Sequence, residues 1–372
     1  MRKARRLTLS VLLLLVVAAS ASASDERLRI VVLTPTTEGN TYWPQVHEIL
    51  EAAAEDLNVE LLMYDFDVRD RFAKQDEGVR ILRQVEDVDG AIISVAFGQT
   101  VPLLQIAEQR GIPVMIQGPL FATELELLGS RPRDVFDSWI GLFSEDEFAK
   151  GEQLARVLIQ RAEQLGLGAA DGTISIGGLG GDSSWYGSWE RAEGLRSAVD
   201  ANANARLLQV VPTYWTEEEG YAISSGLMRR YPEVRIIWAA SDQLAIEAAR
   251  AIEDTGFTPG DELLTGGLDL SERGLESVRS GRLTATTAST LFGYAQILIY
   301  LTDYVRGFDF APDLGTEITF PVYTATEENA QGFLDLYREH ARIDFGEFSR
   351  ALTPHPSAYQ FDPEALHAAI RE

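Results

Sequence analysis

The chain has 372 residues, no cysteine, 24% charged residues and a formal net charge of −25. Such acidity argues against nucleic acid and anionic membranes as partners, and without cysteine neither disulfides nor a lipid-anchored N-terminus is expected. The length suits two domains of ordinary size whose cores need no covalent staples.

Arg2, Lys3, Arg5 and Arg6 precede an apolar run from Leu7 to Ala19, and Ala21-Ser22-Ala23 offers small residues for cleavage. This is the layout of a secretory signal over residues 1–23, and the run is short for a membrane span. Maturation near Ser24, or at Ala21, would remove four basic and no acidic residues and take the charge from −25 to −29. The expected product is a soluble periplasmic protein.

From there β-branched runs alternate with helical periods. Ile30–Leu33 reads as a strand, and the next helix buries Val46, Leu50, Ala53 and Leu57. Strands at Glu60–Tyr64, Gly90–Val95 and Pro113–Gln117 alternate with helices at Asp76–Val85 and Val101–Arg110. A second series follows Ile140, with helices at Glu147–Gln164, Ser188–Ala201, Glu219–Arg230 and Gln243–Thr255. Its strands are Thr173–Gly177, Ala205–Val211, Ile236–Ala239 and Leu263–Gly266. This alternation predicts an α/β protein of two doubly wound parallel-sheet lobes. Ligands of such sheets bind beyond the carboxyl ends of the strands, where "EGNTYWPQVHEIL" places Asn40, Tyr42 and Trp43.

Five stretches in this order carry a family resemblance: "IVVLTPTTEGNTYW", "DGAIIS…AEQRGIPVMIQ", "WERAEGL", "IIWAASDQLAIEAARAI" and "TGGLDLSERGLESVRSGRLTATTAS". Together they resemble the type I periplasmic binding proteins of the sugar-binding branch, over about Ile30 to Phe320. The resemblance implies two Rossmann-like lobes joined by a three-segment hinge and closing on a small ligand. By analogy the crossovers fall near Trp139, Ser289 and Phe320. The lobes then comprise residues 28–139 with 290–320, and 140–289 with 321–372, the last part a C-terminal extension. It further implies a monomer without cofactor that delivers a sugar or polyol to an ABC permease. The alternative is a co-receptor for a membrane sensor kinase or cyclase, as in the similar periplasmic receptor for a furanosyl-borate autoinducer.

A sugar needs aromatic planes on its faces and amides, carboxylates or an arginine round its rim. The resemblance assigns Asn40, Tyr42 and Trp43 to the first-lobe loop, with Glu38 a weaker neighbour. The competing roles are a helix cap for Asn40 and a hydrophobic staple for the rings. Arg191 matches the family's ligand arginine, against an exposed ion pair with Glu190 or Glu193. Trp215 matches the second-lobe stacking ring, against core packing. Ser241 and Asp242 match a polar-Asp pair, with Asp242 equally able to cap the following helix. Asp269 matches a hydroxyl-binding aspartate, against an Asx turn.

The family's Asp-Arg pair after "IPVMIQ" is replaced by Gly118-Pro119, leaving Gln117 as the one rim group, and Ser289 stands where relatives carry a longer amide. Ordinary ribose or galactose recognition is therefore not implied. "GGLGGDSSW" lacks the third glycine of a dinucleotide fingerprint and the Gly-Lys-Ser/Thr of a phosphate loop. Its Gly-Asp-Ser has no histidine in a matching motif, so no hydrolase or other enzyme is expected and no catalytic residue is assigned. Asp65, Asp67, Asp70 and Asp76 are interrupted by Arg69 and Arg71 and do not form a calcium loop, so no metal is expected. The extension beyond Thr326 is expected to pack on a lobe or meet a partner.

Overall fold

The computed structural model describes residues 27–36, 41–67, 71–94, 100–289, 291–353 and 359–371. The expected signal and Asn40 lie outside them.

Two six-stranded sheets organise the chain. The first contains β1 (Leu28–Thr36), β2 (Val59–Asp67), β3 (Gly90–Ser94), β4 (Val114–Gln117), β5 (Trp139–Glu145) and β11 (Glu317–Phe320), in the order β11-β5-β4-β3-β1-β2. The second contains β6 (Ile174–Leu179), β7 (Ala205–Val211), β8 (Val234–Ala239), β9 (Leu264–Leu268), β10 (Thr286–Ala288) and β12 (Tyr323–Ala325), in the order β12-β10-β9-β8-β6-β7. Every pair is parallel except β10 with β12. β3 and β9 are buried at every position, as strands covered by helices on both faces must be. The protein is thus two doubly wound α/β lobes.

Four helices belong to the first lobe's early part: α1 (Tyr42–Asp56), α2 (Arg71–Gln84), α3 (Thr100–Arg110) and α4 (Ala122–Leu128). α1 turns Val46, Ile49, Leu50 and Ala53 inward at spacings of three and four. The second lobe carries α5 (Glu147–Leu165), α6 (Tyr186–Asp200), α7 (Glu217–Arg230), α8 (Asp242–Asp254) and α9 (Glu272–Arg279). α5 and α6 cross in near backbone contact. A Cβ on Gly151 would lie 2.1 Å from the Arg191 carbonyl oxygen, and one on Gly194 2.1 Å from that of Phe148. Only glycine permits this approach, which buries side chains along the seam.

The division between lobes departs from the sequence expectation twice. The chain leaves the first sheet after Glu145, not at Trp139. β5 pairs in parallel with both β4 and β11, and Trp139, Ile140 and Phe143 are wholly buried in it. The second departure is the extension, which does not stay with the second lobe. Its helix α11 (Ala330–Arg338) packs on α9, where Arg338 pairs with Glu272 at 2.8 Å and with Glu276. Beyond it the chain returns to the first lobe. Phe345 N donates to Asp56 Oδ2 at 2.9 Å, and Arg371 Nη2 reaches Asp56 Oδ1 at 2.6 Å. The buried Asp303, on α10 (Gly293–Val305), accepts from Ser349 Oγ, Arg350 N and Tyr359 OH at 2.5, 2.7 and 2.8 Å. A fourth passage between lobes is the result. It lies against the second crossover, where Tyr337 stacks on Phe292 with ring centroids 5.3 Å apart.

Candidate functional site

The carboxyl ends of the two sheets face each other, and the cleft between them is closed. Thr41, ahead of α1, places its amide and hydroxyl 3.4 and 3.2 Å from Gln243 Oε1 of α8. Gln45 Oε1 accepts from the Glu272 amide at 3.0 Å, while its own amide nitrogen donates to Thr41 O at 2.8 Å. The first turn of α1 is therefore tied to the opposite lobe, and the tie carries Tyr42 and Trp43 into the cleft.

Trp43 is partly buried. Its ring meets Tyr42 edge-on at 5.1 Å and Tyr294 edge-on at 5.5 Å, and lies 6.2 Å from His47. It packs against the core as the staple role requires, yet at the cleft. Burial holds the Tyr42 phenol well above its ordinary pKa, with Glu145, Tyr294 and Asp269 adding to the shift and Arg191 opposing it. Those neighbours come from both lobes, so Tyr42 sits where the lobes meet. Gln117 ends β4, partly exposed, and its Oε1 accepts from Tyr294 OH at 2.7 Å.

On the other side Arg191 is only 7% exposed and is not the surface residue of an exposed ion pair. Its Nε donates to Glu147 Oε2 and its Nη1 to the Ala240 carbonyl, both at 2.6 Å. Its guanidinium carbon stands 5.0 Å from the Trp185 ring centre and 5.9 Å from that of Trp215, within reach of cation–π attraction. Glu147 also accepts from Lys150 Nζ at 2.9 Å, and Lys150, wholly buried, bonds Glu145 as well. Burial opposes the charge of Glu147, but Arg191 and Lys150 outweigh it and hold the carboxyl below its usual range. Arg191 is likewise held charged against burial by Glu147 and Asp269.

Asp269 lies at φ +134° and Leu270 at φ +53°, backbone that L residues rarely adopt. The Asp269 side chain is 16% exposed, stands 3.8 Å from Arg191 Nη1 and makes no hydrogen bond among the described residues. Burial pushes its carboxyl well up, with Arg191 opposing and Asp242 adding to the rise. Trp215 is also left-handed, at φ +65°. Thr213 holds that turn, its Oγ1 accepting from Trp215 N at 3.2 Å and donating to Gly180 O at 2.9 Å. The indole lies over Gly181, where a Cβ would be 1.8 Å from Trp215 Cη2. The glycine-rich stretch makes room for this ring.

Ser241 and Asp242 both make hydrogen bonds within the second lobe. Ser241 caps α8, its Oγ accepting from Leu244 N at 3.3 Å, so the cap is Ser241 and not Asp242. Asp242 is 1% exposed and accepts at Oδ2 from Ser271 N and Oγ, both 2.8 Å. Burial raises its carboxyl to about 6 against these bonds. It braces α8 against α9 beneath Asp269.

The structure thus brings Tyr42, Trp43, Gln117, Arg191, Trp215 and Asp269 to one cleft. Sequence reasoning missed Glu145, Glu147, Lys150, Trp185 and Tyr294. Glu147 and Lys150 stand three apart on a helix, and the α5–α6 seam buries them. No group of three or more His, Cys, Asp or Glu among the described residues could hold a metal, and no described helix is long and apolar enough to cross a membrane. The site offers aromatic walls, an open carboxylate, an amide and a guanidinium, which suits reversible binding of a small polar molecule.

A family model described as a periplasmic binding protein domain matches residues 30–307. A ribose import binding protein of Haemophilus influenzae is 27% identical over 297 residues, covering 77% of this chain and 88% of that one. A ribose import binding protein of Bacillus subtilis is 22% identical over 260 residues, covering 69% and 74%. Among solved structures, a periplasmic sugar-binding protein from Pseudomonas fluorescens superposes with a TM-score of 0.80 at 23% identity, covering 91% of this chain and 99% of that one.

Proposed function

The chain belongs to the periplasmic binding protein family, and from that premise we propose that it captures a small carbohydrate-like ligand between its lobes and delivers it to an ABC importer. The residue that carries this reading is Asp269. A carboxyl group in strained backbone, 3.8 Å from Arg191 and making no hydrogen bond among the described residues, is open to the hydroxyl of a ligand. Trp43 and Trp215 stand on opposite lobes as walls for the faces of a ring, and the sugar ligands named for the relatives support the same class. The signal at residues 1–23 directs the protein to the periplasm, where it works as a monomer and without a cofactor.

A thermal-shift screen of sugars, polyols and small organic acids tests the proposal. A ligand bound only by the folded state raises the melting temperature by mass action. A shift with an amino acid or carboxylate but with no carbohydrate or polyol would refute it.

A further inference from the structure

The first lobe's side of the cleft contains a hydrogen-bond chain with a direction. Tyr294, in the first turn of α10, is 3% exposed, and its hydroxyl has two partners, Gln117 Oε1 at 2.7 Å and Ser94 Oγ. A phenol owns one proton. Donated to Gln117, that proton leaves the phenol oxygen to accept from Ser94, so the chain runs Ser94 to Tyr294 to Gln117. Burial raises the Tyr294 pKa far above neutrality, so the proton stays in place. With the Tyr294 hydroxyl on its oxygen, the Gln117 amide is oriented by that bond and keeps its NH2 to present, and no hydrogen bond is made by that nitrogen among the described residues. The same tyrosine sets its ring edge against Trp43 at 5.5 Å. One side chain thus positions both the wall and the rim of this lobe.

We infer that Tyr294 fixes the hydrogen-bond polarity of the first lobe's edge by holding the Gln117 amide with its NH2 toward the ligand, across the cleft from the Asp269 carboxyl. The inference rests on the binding function proposed above and narrows its ligand. The molecule must offer a lone pair, from a ring, ether or hydroxyl oxygen, to the Gln117 NH2, and a hydroxyl, which can donate or accept, to the Asp269 carboxyl. A neutral cyclic sugar satisfies both edges. An ammonium group set against Gln117 is rejected, because the amide presents NH2 there and the Glu145 carboxylate of this lobe is held by Lys150. Gly118 and Pro119 supply no charge of their own at this edge, so the neutral amide decides it.

Ser94, Gln117 and Tyr294 all belong to the first lobe, so the chain persists when the cleft opens and can be read without ligand. In the 15N-labelled full-length protein, the side-chain NH2 signal lost in Gln117→Glu identifies Gln117. Both of its protons should exchange rapidly with water in the wild type. One slowly exchanging NH proton would mean that Tyr294 accepts from the amide, and would overturn the polarity. Calorimetric titration with D-ribose, D-allose and L-arabinose supplies the second arm. For whichever probe binds the wild type, Tyr294→Phe should weaken affinity about tenfold, the loss of one neutral hydrogen bond, with the melting temperature little changed. Gln117→Glu should weaken it further, and wild-type affinity in that variant would again overturn the polarity. If no probe binds the wild type, the titration counts against the binding proposal alone, and the exchange rates still decide the direction of the chain.

Discussion

Arg191→Met separates a buried brace from a surface arginine. The substitution keeps an apolar stem between Trp185 and Trp215 but removes both 2.6 Å bonds, to Glu147 and to the Ala240 carbonyl. Glu147, 3% exposed, would be left with Lys150 alone, and Lys150 is already shared with Glu145. Removing one partner of a buried pair strands the other charge and costs about 3–5 kcal/mol. An exposed pair with Glu190 or Glu193 would be worth only about 0–1 kcal/mol, and Glu193 in fact faces Arg196 at 3.6 Å. Urea unfolding followed by tryptophan fluorescence gives the difference, with the slope checked for constancy. The double variant Arg191→Met/Glu147→Gln removes the stranded charge and should cost less than the two single changes added, by about 0.5–3 kcal/mol. A single variant within about 1 kcal/mol of wild type would refute the buried-brace account, as would strict additivity. The consequence for binding assays is direct: affinity of an Arg191 variant has meaning only where the protein remains folded.

Glu190 is raised to about 7 by burial, with Glu147 and Asp146 adding to the shift. The folded state then binds more protons than the unfolded state between the ordinary carboxylate range and pH 7, so stability falls as pH rises through that window. Melting temperatures at pH 5 and 8 should drop more for the wild type than for Glu190→Gln, and parallel drops would contradict the assignment. Gly181→Ala puts a Cβ 1.8 Å from Trp215 Cη2, so it should displace the indole and cut affinity for any sugar that binds the wild type. Unaltered affinity would remove Trp215 as a wall. Asp303→Asn sets an NH2 among four donors, from Ser349, Arg350, Ala351 and Tyr359. It should cost about 1–3 kcal/mol and speed tryptic cleavage of the segment after Arg338, whereas wild-type cleavage rates would show that Asp303 does not hold the tail.

The two series of strands and helices were legible because buried parallel strands and amphipathic helices leave period and composition in the sequence. Tyr42 and Trp43 were singled out by their place after the first strand, and Arg191, Trp215 and Asp269 through the family resemblance. β5 was not, because "WIGLFSE" follows a loop-rich stretch and the family resemblance set a crossover at its first residue. The docking of the tail could not be read either. Its anchors, Asp56 and Asp303, lie 289 and 46 residues from Phe345 and Ser349, and nothing local marks them as partners. The buried charges follow the same logic. Lys150 is an unremarkable helix lysine until Gly151 and Gly194 let two helices close over it. Tyr294 sits in an apolar helix of which ten residues are buried, so its hydroxyl gave no sign of facing Gln117.

The central claim is that a small ligand is held between the lobes by Trp43, Trp215, Arg191 and Asp269. A crystal structure of the protein with the sugar that most raises its melting temperature tests it most directly. The account predicts density for one ring between the two indoles, with a hydroxyl within hydrogen-bond distance of the Asp269 carboxylate and an oxygen facing the Gln117 amide nitrogen. Ligand density elsewhere on the protein, with Asp269 still lacking a donor, would contradict it.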